Sequence, residues 1–249
     1  MPIHKKKRLD QVLVEKGFAP TRSKAADLIR LGAVSVGGVA VLKPGAPVAP
    51  DTCLSISLDA SPYVSRGGLK LAAALDAFGL EARGRIAVDV GASTGGFTDV
   101  LLARGAAGVF AIDVGRDQLH AKLRADPRVV VLEAMDARRL GPELIPGPVT
   151  AIVADVSFIS LTQALPAALA LATPGAWLVA LIKPQFEAGR EAVGKGGIVR
   201  EASDRAKAVA RVRDFIEGQP GWTVIGEMLS PILGGSGNEE FLIGARHGA

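Results

Sequence analysis

The sequence predicts an α/β protein: a mostly parallel, doubly wound sheet with an antiparallel last strand, preceded by a small α+β domain. Three observations point there. Five short apolar runs, 86–90, 108–112, 129–132, 150–154 and 176–181, are mostly separated by helical patterns at 97–104, 118–124 and 161–172. That alternation builds parallel strands with crossover helices. Two more runs, 222–229 and 240–245, are joined by a loop holding Pro231, Gly234, Gly235 and Gly237, and a hairpin there reverses the last strand. The first sixty residues follow a different pattern, which ends at Ser61-Pro62. The boundaries read as a domain over 1–60, a linker over 61–65 and a second domain over 66–249.

The first domain divides into two helices and short strands. Leu9, Val12 and Leu13 repeat at helical spacing until Gly17. Thr21 is placed to cap a second helix, where Ala25, Leu28 and Ile29 repeat the spacing until Gly32. Val34 and Val36 lead into Gly37-Gly38, which suits a tight turn into Val39 and Val41. Leu54, Ile56 and Leu58 alternate as in a strand. In the second domain a helix fits 68–78, and another fits 203–217, with Ser203 as cap and Gly218 as stop.

Composition narrows the class. Of 249 residues, 49% are hydrophobic and 22% charged, enough to bury a sizeable core and too apolar for a disordered chain. The run 164–182 is broken by Pro166, Thr173, Pro174 and Gly175, so no segment reaches the ~20 apolar residues of a spanning helix. The basic start lacks the apolar core of a secretion signal, and the expectation is a cytoplasmic protein. A single cysteine, Cys53, excludes an internal disulfide and a cysteine zinc site; no metal site is expected. Residues 1–60 hold nine Lys/Arg against five Asp/Glu, while residues 61–249 hold twenty of each. A basic head on a neutral body suits a polyanionic partner, or is simply a solvated tail.

The segment Asp89-Val-Gly91-Ala-Ser93-Thr94-Gly95-Gly96-Phe97 follows the first strand of the second domain and opens a helix. Gly91 allows a sharp turn, and Gly95 and Gly96 let the backbone approach a ligand. Asp113 ends the next strand, where an acid can hold two ribose hydroxyls. The alternative is that the glycines only form a turn. A nicotinamide cofactor and S-adenosylmethionine both suit such a loop. Gly91-x-Ser93 departs from the regular pyrophosphate fingerprint. Asp136, after the third strand, supplies an acid for an adenine amino group. The antiparallel last strand resembles S-adenosylmethionine methyltransferase folds. S-adenosylmethionine is therefore the expected cofactor.

Ligands of an open parallel sheet lie beyond the carboxyl ends of the strands. Those ends carry Asp89, Asp113, Asp136, Asp155 and Lys183, and the reversed last strand begins there with Glu240. Asp155, Lys183 and Glu240 form either a structural ion-pair network or a lysine base held by carboxylates. A second cation beside that lysine favours its neutral form, and Lys70 is the candidate, although periodicity cannot bring it to the site. Methylation at a pyrimidine carbon needs a catalytic cysteine, and Cys53 lies in the head. Amino-group methylation usually shows an Asn/Asp-Pro-Pro-aromatic segment, and here the chain reads Asp155-Val156-Ser157-Phe158. A hydroxyl nucleophile with a lysine base remains.

These residues resemble the TlyA family, often called hemolysin A, whose members join an S4-like RNA-binding domain to an FtsJ/RrmJ-like methyltransferase domain. The resemblance runs through Arg8-Leu-Asp, Arg22-Ser-Lys-Ala-Ala and Leu31-Gly-Ala-Val in the head. It continues in Val64-Ser-Arg66-Gly-Gly-Leu-Lys70-Leu, Asp89 to Asp99, Ala154 to Ser160, Leu181 to Glu187, and Ser230-Pro-Ile followed by Gly237-Asn-Glu-Glu240-Phe. It implies a catalytic set of Lys70, Asp155, Lys183 and Glu240 acting on a ribose 2′-hydroxyl of ribosomal RNA, a cytidine's in known members. Lys183 is then the base, Lys70 favours its neutral form or steers the oxygen, and the carboxylates orient the lysines. Glu239 is the neighbour most easily confused with Glu240. The chain ends nine residues after Glu240, without the longer tail of two-subunit members, which points to the large subunit.

Phe18 is the only aromatic residue in the head, so phosphates and RNA shape are the expected targets rather than stacked bases. Lys5, Lys6, Lys7, Arg8, Arg22, Lys24 and Arg30 are the candidates, with Arg66 at the boundary; each is equally readable as a solvated charge. Lys195-Gly196-Gly197 reads as a mobile substrate loop or a plain surface loop. The expected partner is ribosomal RNA or a ribosomal subunit, with no obligate protein partner and no membrane. Two other readings stand beside the enzyme: an inactive ribosome-binding protein, and a membrane-active hemolysin, for which no amphipathic cationic helix with aromatics is seen.

Overall fold

A computed structural model describes residues 6–19, 21–30, 33–41, 43–56, 63–194, 196–234 and 237–248, with backbone alone at 24, 27, 30, 40 and 190. The predicted positions Lys5, Leu58, Lys195 and Gly235 lie outside the described residues, as do the side chains of Lys24 and Arg30. The chain forms two compact units, residues 1–66 and 67–249.

In the first unit, helix α1 (Leu9–Glu15) packs on α2 (Arg22–Arg30). The residues at helical spacing, Leu9, Val12, Leu13, Ala25 and Ile29, are buried with Val34 in a common core. Strands β2 (Val34–Val36) and β3 (Val39–Ala40) pair antiparallel around the glycine turn, and β5 (Leu54–Ile56) pairs with β2 on its other side. Lys7 and Arg8 form a short strand, β1, against β4 (Pro47–Val48).

The second unit is built on a seven-stranded sheet. In chain order its strands are β6 (Ile86–Val90), β7 (Gly108–Asp113), β8 (Val129–Glu133), β9 (Val149–Ala154), β10 (Ala172–Ile182), β11 (Trp222–Leu229) and β12 (Phe241–His247). Their spatial order is β11-β12-β10-β9-β6-β7-β8. Strands β6 to β10 pair parallel, and β12 runs antiparallel to both neighbours. The order reverses between β6 and β9, which opens a crevice at their carboxyl ends. Strands buried on both faces read as continuous apolar runs, and Val149–Ala154 is buried at all but one position.

Several elements differ from the sequence expectation, each for a local reason. The helix expected over 118–124 shrinks to α5 (Ala121–Arg124), because the N–H groups of Asp117, Gln118 and Leu119 donate to the Glu133 carboxylate instead of entering a helix. The helix expected over 161–172 breaks into α6 (Leu161–Ala164) and α7 (Pro166–Ala170), since Pro166 lacks the N–H that would continue the bonding ladder, although Leu165 keeps helical dihedrals. Helix α9 (Ala202–Glu217) starts before Ser203, with Glu201 at the cap position and no side-chain cap bond. The last strand begins at Phe241, which leaves Glu240 in the loop before it.

Helix α3 (Gly67–Phe78) lies against β12. Gly226 and Gly244 are paired across β11 and β12, and a methyl group on either would crowd the Phe78 ring, at 3.0 and 2.6 Å. The two glycines form a seat for that ring. The seat fixes the helix, and the helix carries Lys70.

Candidate functional site

Two cavities open at the carboxyl edge of the sheet. The first, about 320 Å³, is lined by the ends of β6, β7, β8 and β9, including Gly91, Ser93, Asp113, Met135, Asp136 and Asp155. The second, about 340 Å³, is lined by Lys183, Gln185, Phe186, Val193, Gly197 and Glu240. Ser157 and Phe158 line both, so the loop after β9 forms the wall they share. Among the described residues, four other than glycine have positive φ: Ser93 (+48°), Asp117 (+51°), Ala134 (+55°) and Phe158 (+66°). One lies in each loop after four parallel strands. Backbone strain of this kind clusters where function dictates geometry.

In the first cavity the glycine loop is built for a close turn. Gly91 has φ +84°, and a Cβ there would sit 2.6 Å from the Asp155 carbonyl oxygen. Gly95 serves a different purpose from the one expected. It is the left-handed cap of α4 (Gly96–Ala103), and a Cβ on it would collide with Leu119 and Leu123. The absence of a side chain there makes room for those two leucines. Gly96 and Phe97 are buried in the first turn of α4, and Thr94 offers its carbonyl to His120 N–H at 3.1 Å. The cavity lining includes none of Thr94, Gly95, Gly96 and Phe97.

The Asp113 carboxylate accepts N–H bonds from Ser93 (2.8 Å) and Gly115 (2.7 Å), locking the loops after β6 and β7 together. Asp136 is held by Arg138 and caps a short 3₁₀ turn; the guanidinium keeps its carboxyl down at about 2. Asp89 is fully buried. Thr98 Oγ1 donates to its Oδ2 at 2.7 Å, and its Oδ1 has no hydrogen-bond partner. Burial, with the charges of Asp155 and Asp113 adding to it, pushes the Asp89 carboxyl up to about 7. An apolar wall of Ile112, Val114 and Met135, several carboxylates and an orphaned buried oxygen suit an amphipathic nucleoside bearing positive charge, as S-adenosylmethionine is.

The charges of the second cavity's wall, Lys183 and Glu240, each belong to a pair whose other member lies outside that lining. Lys183 Nζ contacts Asp155 Oδ1 at 2.7 Å and donates to Ser157 Oγ at 2.8 Å. Lys70 Nζ donates to Glu240 Oε2, and both side chains are buried. The four residues drawn from distant parts of the sequence therefore meet as Lys183–Asp155 and Lys70–Glu240. Glu239 points elsewhere, to Arg205 at 2.7 Å.

Sequence reasoning assigned no role to Phe158 or Ser157. Phe158 is 92% exposed and its ring lies 5.2 Å from that of Phe186. A large aromatic in a polar loop at a strand end was the available signal. Gly197, in the stretch read as mobile, is tied down: buried Asn238 donates to its carbonyl at 2.8 Å and accepts Val199 N–H at 3.0 Å.

In the head, the basic residues are largely paired. Lys7 bonds Glu15 at 2.8 Å, and Arg8 and Arg22 converge on buried Asp10. The Arg8 hydrogen bond holds the Asp10 carboxyl below its usual range, with burial opposing. All three cations keep about half of their side-chain surface exposed. Lys6 is exposed and Arg66 half-buried. Among the described residues there is no cluster of three metal-ligating side chains, and no helix is long and apolar enough to cross a membrane.

Comparison with known proteins follows the same division. Residues 63–247 match the FtsJ-like methyltransferase model, and residues 7–52 match the S4 domain. The chain is 48% identical over 240 residues to the 16S/23S rRNA (cytidine-2′-O)-methyltransferase TlyA of Mycobacterium tuberculosis, covering 96% of this chain and 89% of that one. It is 40% identical to hemolysin A of Brachyspira hyodysenteriae, covering 94% and 98%. A solved structure of a hemolysin-assigned protein from Streptococcus thermophilus superposes with a TM-score of 0.77 at 42% identity, over 98% of this chain and 90% of that one. The chain belongs to the TlyA family of S-adenosylmethionine-dependent methyltransferases, in which an S4 domain precedes an FtsJ-like catalytic domain.

Proposed function

We propose that this chain methylates the 2′-hydroxyl of a ribose in ribosomal RNA, a cytidine's, with Lys70, Asp155, Lys183 and Glu240 as the catalytic set. One observation carries the reading: two lysine–carboxylate pairs bring Lys183 and Glu240 to the second cavity, which shares the Ser157–Phe158 wall with the first, the one suited to a nucleoside. S-adenosylmethionine, bound in the first cavity, supplies an electrophilic methyl group on its sulfonium. Gly91, Ser93, Asp113, Asp136 and Asp155 would line its site, with Asp89 behind them.

The chain's own residues supply positioning and a base. Lys183 takes the 2′-proton. Asp155 and Ser157 fix its Nζ from two directions. Lys70 neutralises Glu240, so that the carboxylate on the cavity wall does not oppose negative charge growing on the ribose oxygen. Phe158 offers an exposed ring to a base extruded from its stack.

The head, residues 1–60, acts as the RNA-reading unit, joined through 61–65 to the catalytic unit, 66–249. Lys6, Lys7, Arg8 and Arg22 would meet phosphates there. A ribosomal substrate implies a cytoplasmic enzyme. The test is incubation of the purified chain with labelled S-adenosylmethionine and ribosomal subunits, followed by mapping of 2′-O-methyl groups. Methylation at a cytidine ribose is expected, and the labelled subunit identifies the substrate. No incorporation into either subunit, or label on a base, would overturn the reading.

A further inference from the structure

The loop after β9 carries Asp155, Ser157 and Phe158 to the wall between the cavities, and it is strained. Phe158 holds φ +66° without glycine's freedom, which persists only where the surroundings over-determine it. The sheet does not supply that restraint, because the ladder between β9 and β10 ends at Ala154 and Ala180. Lys183 and Phe186 hold its near part, and one buried side chain holds its far end. Glu187, on α8 (Pro184–Glu187) four residues beyond Lys183, is buried. Its Oε2 accepts from Ser160 Oγ at 2.5 Å and its Oε1 from Leu161 N–H at 2.8 Å. Ser160 in turn caps α6 by accepting Thr162 N–H. Arg211 of α9 donates to the Glu187 carbonyl at 3.1 Å. Glu187 lines neither cavity. Burial pushes its carboxyl up, against the two hydrogen-bond donors and the Arg211 charge. A buried carboxyl is a costly way to cap a four-residue helix.

We infer that Glu187 is a positioning residue for methyl transfer: its carboxylate ties the far end of the 155–160 loop to the segment carrying Lys183, and so holds the Lys183–Asp155 pair and the Phe158 ring in one arrangement. The inference rests on the 2′-hydroxyl reading above. A mere cap would affect only the folded fraction. A clamp sets the rate of each folded molecule, since misplacement by ~1 Å can cost about 100-fold.

The experiment compares Glu187→Ala, Glu187→Gln and Ser160→Ala in the full chain. It measures single-turnover methyl transfer to ribosomal subunits, thermal unfolding, and amide hydrogen exchange over residues 156–162. For Glu187→Ala, transfer per folded molecule should fall about 10- to 100-fold, with faster exchange at Leu161 and in the loop before it. Glu187→Gln should recover most of the rate, because its amide oxygen can accept Leu161 N–H and its NH₂ can donate to Ser160 Oγ. Three results would each overturn the inference: a wild-type rate in Glu187→Ala, a loss accounted for by its unfolded fraction, or unchanged exchange. If Glu187→Ala does not fold, Ser160→Ala removes one arm of the clamp and should be several-fold slower; an unaltered rate there is equally fatal. A wild-type chain that methylates no ribosomal RNA refutes the 2′-hydroxyl reading and the transfer role with it. Exchange needs no substrate, so it reports separately whether the clamp exists.

Discussion

The two lysine–carboxylate pairs meet solvent differently. Lys70 and Glu240 have side chains 6% and 3% exposed, whereas Lys183 and Asp155 are 13% and 24% exposed. A buried ion pair gives up most of its Coulomb gain to desolvation. The more open pair pays less. The sequence motifs treat the four residues as one set; the structure divides them into a rigid buried member and an accessible one. The difference teaches that the same residue types serve two purposes. In the proposed mechanism Lys70–Glu240 would hold a fixed charge pattern at the cavity wall, and Lys183–Asp155 would be the pair that handles the proton.

Substitutions should separate the two. Lys183→Ala is expected to lower methyl transfer about 10²- to 10⁴-fold, the usual worth of a general base, while stability changes by about 1 kcal/mol or less. Single-turnover kinetics beside chemical denaturation measures both; near-wild-type transfer would remove Lys183 from the mechanism. Glu240→Ala should cost stability as well as methyl transfer. It strands the Lys70 ammonium in the interior and should destabilise the fold by about 3–5 kcal/mol. The double variant Lys70→Met/Glu240→Met should regain wild-type stability or exceed it, yet stay inactive. If the double variant is as unstable as the single one, the pair holds the fold and the contrast fails.

Asp89 extends the comparison to a buried carboxyl without a cation. Glu240 has Lys70, whereas Asp89 has its carboxyl held by Thr98, a neutral partner. Its carboxyl, pushed up to about 7, is protonated in the folded chain over a range where the unfolded chain has lost the proton. The folded state therefore binds more protons between the ordinary aspartate range and about pH 7. This contribution to stability is complete below the unfolded pKa, declines as pH rises at up to about 1.4 kcal/mol per unit, and is lost once pH passes about 7. Asp89→Asn should remove that slope. Unfolding of both proteins from pH 4 to 8 checks it, and parallel pH profiles would show that Asp89 does not titrate as described.

The fold was largely legible because its signals are local. The apolar runs gave all seven strands of the second unit, and the Gly/Pro loop gave the reversal of β12. What was missed depended on tertiary partners. No periodicity shows that the Glu133 carboxylate captures three backbone N–H groups and shortens α5. Gly95 reads as a ligand-facing glycine until Leu119 and Leu123 are seen beside it. Lys70 reached the candidate site only through family resemblance. Its physical route is the Gly226–Gly244 seat under Phe78, two single glycines on strands far from the helix in sequence. The pairing within the proposed catalytic set was equally invisible, since sequence gives the residues and not which carboxylate meets which lysine.

Ser157 gives the smallest and most specific test of the division. Its hydroxyl accepts from Lys183 Nζ at 2.8 Å, while Asp155 contacts the same nitrogen at 2.7 Å. Asp155 supplies charge and Ser157 supplies direction. Ser157→Ala keeps the ion pair and frees Lys183 to swing about it. Losing one hydrogen bond is worth about 0.5–1.5 kcal/mol, or more where a charged group takes part, so transfer should slow by roughly 2- to 13-fold. Stability should barely change, because Lys183 retains Asp155 and some access to water. A loss as large as that of Lys183→Ala would mean that Ser157 takes part in proton movement. No loss at all would mean that Asp155 alone aims the amine, and the accessible pair would then be as self-sufficient as the buried one.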